Sequence, residues 1–181
     1  LRHKKIIFML EVGTCFNKIK KDCNKFIKSQ ETSTEKFKAK EKMIKSFLIP
    51  ICFWIAKKSN NKTPYFVGLA GGQGTGKTTI SSILKIILTK YFKLKVFKIS
   101  LDDFYKTRKD RISLSKKIHP MLLIRGAPGT HDINIMLSFF KKIKSKRFKN
   151  LKVPSFNKAA DDRFNKKYWY KKENIKILDY S

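Results

Sequence analysis

Acidic residues are scarce. Thirteen Asp and Glu stand against 43 Lys and Arg in 181 residues, a formal net charge of +30. Arginine is scarce too, at six residues, so the excess is almost all lysine and runs the length of the chain. Such an excess reads first as a solvated surface. A polyanion-binding face, or recruitment of anionic metabolites by the general field, stays open beside that reading. Cysteine is limited to Cys15, Cys23 and Cys52, an odd number with no CxxC pair. That excludes a disulfide framework and a thiolate zinc site, and fits a reducing compartment, the cytoplasm. Long hydrophobic runs are missing: "FLIPICFWIA", residues 47–56, falls short of the roughly 20 residues that span a bilayer. "LRHKKIIFML" has a basic start, but Glu11 interrupts its apolar run and no small-residue cleavage site follows, so it does not read as a signal peptide.

The apolar fraction of 41% is ordinary, which excludes global disorder and leaves room for a core. Residues 1–46 read as basic helices with polar breaks. Thr32 and Glu35 have capping-box spacing ahead of a helical stretch to about Ser46. "YFVGLA", residues 65–70, is a short apolar run bounded by a loop and glycine, the pattern of a buried strand. Ile80, Ile83, Leu84, Ile87 and Tyr91 recur at helical spacing after Lys77. "KVFKIS", residues 95–100, reads as a second strand. Ile133, Met136, Leu137, Phe140 and Ile143 define another amphipathic helix with Asp132 as its N-cap, and "NIKILDYS" begins a further strand. Strand, glycine loop, helix, strand is the opening of a doubly wound α/β sheet.

"GGQGTGKTTI", residues 71–80, matches G-x-x-x-x-G-K-[ST] between an expected strand and an expected helix. Glycines allow the turn conformations in which successive backbone N–H groups point inward as an anion nest, and the helix N-terminus adds its partial positive charge. The phosphate contacts are assigned to Gly71, Gly72, Gln73, Gly74, Thr75, Gly76, Lys77, Thr78 and Thr79. Lys77 would reach the β and γ phosphates of ATP, and the Thr78 hydroxyl would ligate Mg²⁺. Downstream, "SLDDFYKTR" puts Asp102 and Asp103 just past the second expected strand, where ligands bind in open α/β sheets. Two adjacent carboxylates rarely share one task, so one is expected as a general base and the other as a supporting group.

The glycine loop, "ISLDDFYKTR", "HPMLLIRGAPGTHDI" and "VPSFNKAADDR", in this order, resemble the D-glycerate 3-kinase-like P-loop kinases, which are similar to phosphoribulokinase, uridine kinase and bacterial pantothenate kinase. The resemblance covers roughly residues 47–178. It implies an α/β P-loop NTPase fold, three layers around a parallel sheet, incomplete in this chain. A basic helical segment, residues 1–46, precedes the kinase domain, residues 47–181, which would end before the Walker B region; Asp179 reads as preceding that strand rather than closing it. The resemblance further implies an ATP- and Mg²⁺-dependent kinase acting on a hydroxyl of a small acceptor, D-glycerate first. Asp102 would be the base and Lys77 its catalytic partner. Asp103, Tyr105, Arg125, His131, Asp132, Lys158 and Arg163 would line the acceptor site. Taken alone, these residues permit other roles: His131 as a loop or capping residue, Arg163 as half of a surface ion pair with Asp161 or Asp162, Phe104 and Tyr105 as core. Two other functions stay open: a nucleic-acid-associated P-loop ATPase, suggested by the charge, and a non-catalytic segment that only binds ATP. Oligomeric state is not legible.

Overall fold

The computed structural model describes residues 2–59, 63–72, 74–145 and 151–171. The chain divides into two compact units, Leu1–Lys98 and Ile99–Ser181.

The first unit is helical. Helix α1 (Arg2–Gln30) is followed by α2 (Lys40–Met43), which runs through a π-turn over Ile44–Leu48 into α3 (Ile49–Lys58); α4 (Lys77–Lys90) follows the glycine loop. The widened turn lies directly ahead of Pro50, whose ring supplies no N–H to the preceding turn. One stripe of α1, Cys15, Phe16, Ile19, Cys23 and Ile27, is buried against Ile49, Cys52 and Ile55 of α3 and Ile83, Ile87 and Leu88 of α4. These positions repeat at three- and four-residue intervals, as a helix face requires. The three thiols are free and sit inside this core, where burial pushes Cys15 up to about 11 and Cys23 and Cys52 to about 12. They act as small hydrophobes.

The second unit holds α5 (Arg108–Lys117), α6 (Ile133–Ser145) and four two-residue strands: β1 (Lys152–Val153), β2 (Phe156–Asn157), β3 (Asp162–Arg163) and β4 (Tyr170–Lys171). β1 pairs antiparallel with β4, and β2 with β3. Phe104, Phe139, Leu151 and Val153 form its core, with Phe104 edge-on to Phe139 at 5.4 Å.

Helices α4 and α6 fall where their periodicity places them. Other expectations are corrected. No parallel sheet occurs among the described residues; both ladders are short and antiparallel. Residues 65–70 and 95–100 join no sheet, and the first run is not buried: Phe66, Val67 and Leu69 are about half exposed. Apolar character favours a strand, but a strand exists only through a partner's backbone, which a local pattern does not name. The Thr32–Glu35 box makes its hydroxyl bond, with Glu35 N–H donating to Thr32 Oγ1 at 3.0 Å, yet it closes a turn: Thr32 N–H bonds back to the Glu35 carbonyl, and the helix resumes at Lys40. The expected strand "NIKILDYS" and Asp179 lie outside the described residues, as does Gln73 of the glycine loop.

Candidate functional site

In the first unit, Gly76 caps α4 at its N-terminus with φ 77°, and Gly74 has the same φ. A side chain is strained in that left-handed region, so the glycines are what let the backbone turn into the helix. At Gly71 the constraint is space: a Cβ there would come within 2.9 Å of Thr75 Oγ1. Thr75 Oγ1 itself donates to the Gly72 carbonyl at 2.9 Å. The Lys77 ammonium folds back over its own loop, donating to the Gly71 carbonyl at 2.7 Å and to the Gly72 carbonyl. The cation is thereby held above the loop rather than extended into solvent. Thr78 is exposed at the first turn, and its carbonyl receives the Ser82 hydroxyl at 2.8 Å and the Lys98 ammonium at 3.3 Å. Lys98 also donates to Ser82 Oγ at 2.5 Å, pinning the extended segment 95–98 to the start of α4. Burial, with the nearby charge of Lys85 second, lowers the Lys98 pKa. Sequence reasoning did not single out Lys98.

In the second unit, Ser100 caps a 3₁₀ turn over Leu101–Phe104 that presents the two aspartates differently. Asp102 Oδ2 lies 2.7 Å from Lys158 Nζ, with both side chains reaching solvent. Asp103 turns inward, and its Oδ1 accepts the Phe156 N–H at 3.2 Å. Burial raises the Asp103 pKa against the opposing pull of that bond. Asp102 is thus the accessible carboxylate, and Asp103 braces β2.

The "RGAPGTHD" segment is a double turn, with Gly126 at φ 101° and Gly129 at φ 89°. Thr130, fully buried, bonds Ala127 O through both its N–H and its hydroxyl. The segment is tied to the aspartate turn at both sides: Lys106 N–H donates to Thr130 O at 2.8 Å, and Asp132 N–H to Phe104 O at 2.7 Å. His131 stacks on Tyr105, ring centroids 4.1 Å apart. Burial lowers the His131 pKa, partly opposed by the charge of Asp102; burial raises that of Tyr105. Asp132 caps α6 through the Ile135 N–H at 3.2 Å and receives Arg163 Nη1 at 2.9 Å.

The β2–β3 hairpin turn carries the remaining groups. Asn157 Oδ1 accepts the N–H of Ala159 and Ala160, and Asp161 adopts a left-handed φ of 52°. Asp161 then receives two arginines, Arg125 Nη1 on Oδ1 at 2.9 Å and Arg111 Nη2 on Oδ2 at 3.0 Å. A cavity of about 440 Å³ opens here, lined by Arg108, Leu123, Ile124, Arg125, Lys158 and Asp161. The structure therefore gathers Asp102, Asp103, Tyr105, Arg125, His131, Asp132, Lys158 and Arg163 into one unit. It pairs Arg163 with Asp132 rather than with its sequence neighbours, and buries Phe104 and most of Tyr105. Arg111 and Asp161 were missed. The available signal was that five of only six arginines, at 108, 111, 125, 147 and 163, fall after residue 98.

No family profile matches the chain. Individual proteins do. An uncharacterized kinase, mug58, of Schizosaccharomyces pombe is 32% identical over 123 residues, 65% of this chain and 44% of that protein. The chloroplastic D-glycerate 3-kinase of Arabidopsis thaliana is 30% identical over 141 residues, 68% of this chain and 31% of that protein. The solved D-glycerate 3-kinase of Cryptococcus neoformans superposes with a TM-score of 0.54 at 28% identity, over 71% of this chain and 47% of that one. The chain is similar to D-glycerate 3-kinase and related kinases. It spans less than half the length of each of these relatives. Pantothenate kinases, such as that of Streptococcus suis at 30% identity, are also similar, so members of this kinase group differ in acceptor. Among the described residues no helix is long and apolar enough to cross a membrane, and no cluster of three or more His, Cys, Asp or Glu could hold a metal.

Proposed function

We propose that this P-loop kinase transfers the γ-phosphoryl group of ATP to a hydroxyl of a small hydroxy acid, D-glycerate first. The observation that carries the reading is the accessible Asp102 carboxylate, 2.7 Å from Lys158, in the same unit as an arginine-lined cavity. A general base needs a carboxylate that can reach an acceptor hydroxyl, and Asp102 meets that need where Asp103 does not. The acceptor carboxylate would meet Arg125 and Lys158, which match it in charge; a guanidinium can do so bidentately.

The residues of the first unit fit a nucleotide. Gly74 and Gly76 sit in the left-handed region, a Cβ at Gly71 would crowd the Thr75 hydroxyl, and Lys77 already lies over two loop carbonyls. Gly71–Thr79 would hold the phosphates. The Thr78 hydroxyl would hold Mg²⁺, which supplies charge neutralisation on the phosphates when bound. In the transfer, the bond between the γ phosphorus and its bridging oxygen breaks to leave ADP. The acceptor oxygen forms the new P–O bond, and its proton passes to Asp102. Lys77 would steady the phosphate charge.

The buried, reduced thiols fit a cytoplasmic location. The test is ATP consumption against a panel of hydroxy acids and sugars, with Asp102→Asn alongside. Turnover that depends on a hydroxy acid and falls in Asp102→Asn, with ATP binding retained, is expected. Hydrolysis stimulated instead by polynucleotide, with steep salt dependence, would favour the ATPase reading raised by the charge of +30.

A further inference from the structure

Arg111 is the largest fully buried side chain among the described residues. It enters from α5, whose sequence "RKDRISLSKK" offers almost no apolar face to pack. Its Nη1 donates to the Leu123 carbonyl at 2.7 Å, and its Nη2 to the carbonyl and to Oδ2 of Asp161. Nε has no partner among the described residues. Burying a guanidinium with one nitrogen unsatisfied is a poor route to stability, since an apolar side chain of similar volume commonly serves as well. What the guanidinium does is geometric. It joins the residues just ahead of Arg125 to the hairpin turn that receives Arg125. Asp161 Oδ1 and the Lys158 carbonyl, at 2.9 and 3.1 Å, take Arg125 Nη1. The Phe156 ring lies beside both guanidinium groups, 5.9 Å from Arg111 and 5.6 Å from Arg125. Among the described residues, these acceptors engage Arg125 through Nη1 alone, and Arg125 lines the cavity with Arg108 and Lys158.

We propose that Arg111 is a positioning residue: through Asp161 it fixes the direction in which Arg125 offers its guanidinium to a small carboxylate in the cavity. The proposal rests on the acceptor reading above for the identity of the ligand, but not for the coupling between the two arginines. The composition supports it independently. In a chain that uses lysine almost throughout, lysine at 111 would have supplied the charge. Only a planar fork reaches Leu123 O and Asp161 together.

The test uses Arg111→Lys, Arg111→Met and Asp161→Asn, with Arg125→Met for comparison. Nuclear magnetic resonance of the Arg125 Nε–Hε group reads its order directly, and D-glycerate serves as the carboxylate probe. In the wild type the signal is expected to be ordered. In the Arg111 variants it becomes mobile while the spectrum of residues 1–98 is unchanged. In turnover, the acceptor KM rises about tenfold or more with kcat and the ATP KM little changed, and Arg111→Met combined with Arg125→Met is no worse than Arg125→Met alone. Arg125 order unchanged in the Arg111 variants overturns the proposal, as does a uniform fall in kcat and stability with the acceptor KM intact. If Arg111→Met fails to fold, Arg111→Lys and Asp161→Asn make the same decision, because each keeps part of the bonding. A wild type that binds no hydroxy acid overturns the ligand assignment; the resonance measurement then still decides the coupling.

Discussion

Arg163 and Asp132 form an ion pair, Nη1 to Oδ2 at 2.9 Å, between side chains only 11% and 19% exposed. It joins the strand after the hairpin turn to the first residue ahead of α6. Burial alone would raise the Asp132 pKa; the hydrogen bonds from Arg163 and the Ile135 N–H, with the charges of Arg163 and Lys106, outweigh it and lower the value. A carboxyl lowered in the folded state contributes stability that is present above its unfolded pKa, about 3.9, and is lost as pH falls through the folded value. Arg163→Met is therefore expected to cost about 1.5–3 kcal/mol at neutral pH. The loss should shrink below pH 4. Urea titrations of wild type and variant at neutral and acidic pH check this; a pH-independent difference would remove the ion pair as its cause.

The two adjacent aspartates should separate cleanly. Asp102→Asn keeps the fold and nucleotide binding and lowers acceptor-dependent turnover by about 10²–10⁴. Asp103→Asn keeps an oxygen for the Phe156 N–H and removes a charge that burial disfavours. Because its pKa is raised on folding, ionised Asp103 opposes stability above that value, and the opposition fades as pH falls through it. Asp103→Asn is thus expected to hold or gain stability at neutral pH, with no gain in acid. Turnover and denaturant midpoints for both variants decide it; a marked neutral-pH loss in Asp103→Asn would mean the charge itself is needed.

At the glycine loop, Gly76→Ala forces a side chain into φ 77°, at a cost of about 1–2 kcal/mol. Lys77→Met leaves that conformation alone and removes the ammonium over Gly71 and Gly72. The expectation is that Gly76→Ala lowers the melting temperature of the free protein, whereas Lys77→Met leaves it nearly unchanged. Under the proposed reading, both are expected to lose most of the stabilisation that ATP with Mg²⁺ would give the wild type. Thermal melts with and without nucleotide distinguish the two effects.

Legibility in the sequence followed the range of the interaction. Helices α4 and α6 were readable because their periodicity and the Asp132 cap lie within a few residues of each other. The glycine loop was readable for the same reason. The expected strand over residues 65–70 was not, because a ladder depends on a distant backbone that "YFVGLA" does not specify. The site shows the same limit. Asp102, Arg125 and Lys158 could be named from their segments, but not which groups meet: Asp102 pairs with Lys158, and Arg125 with Asp161 36 residues away. Arg111 carries no local signal in the sequence, and only the tertiary contacts with Leu123 and Asp161 reveal its role.

His131 offers a pH test that does not depend on turnover. It stacks on Tyr105 at 4.1 Å, and the two residues bridge their backbones antiparallel. Burial lowers its pKa; Asp102, the charged neighbour that acts on it, pulls the other way without restoring the ordinary value. The folded state thus binds the His131 proton more weakly than the unfolded chain, whose histidine titrates near 6.5. Its contribution to stability is complete above that pH and is lost as pH falls through the folded value. His131→Phe keeps a flat ring against Tyr105 and cannot take up a proton. The variant is expected to match the wild type near pH 8 and to surpass it progressively below about pH 6.5. Denaturant midpoints measured from pH 8 to pH 5 supply the comparison. Parallel curves for the two proteins would mean that the imidazole gains its proton as easily in the folded state as in the unfolded chain, and that the stack with Tyr105 tolerates the charge.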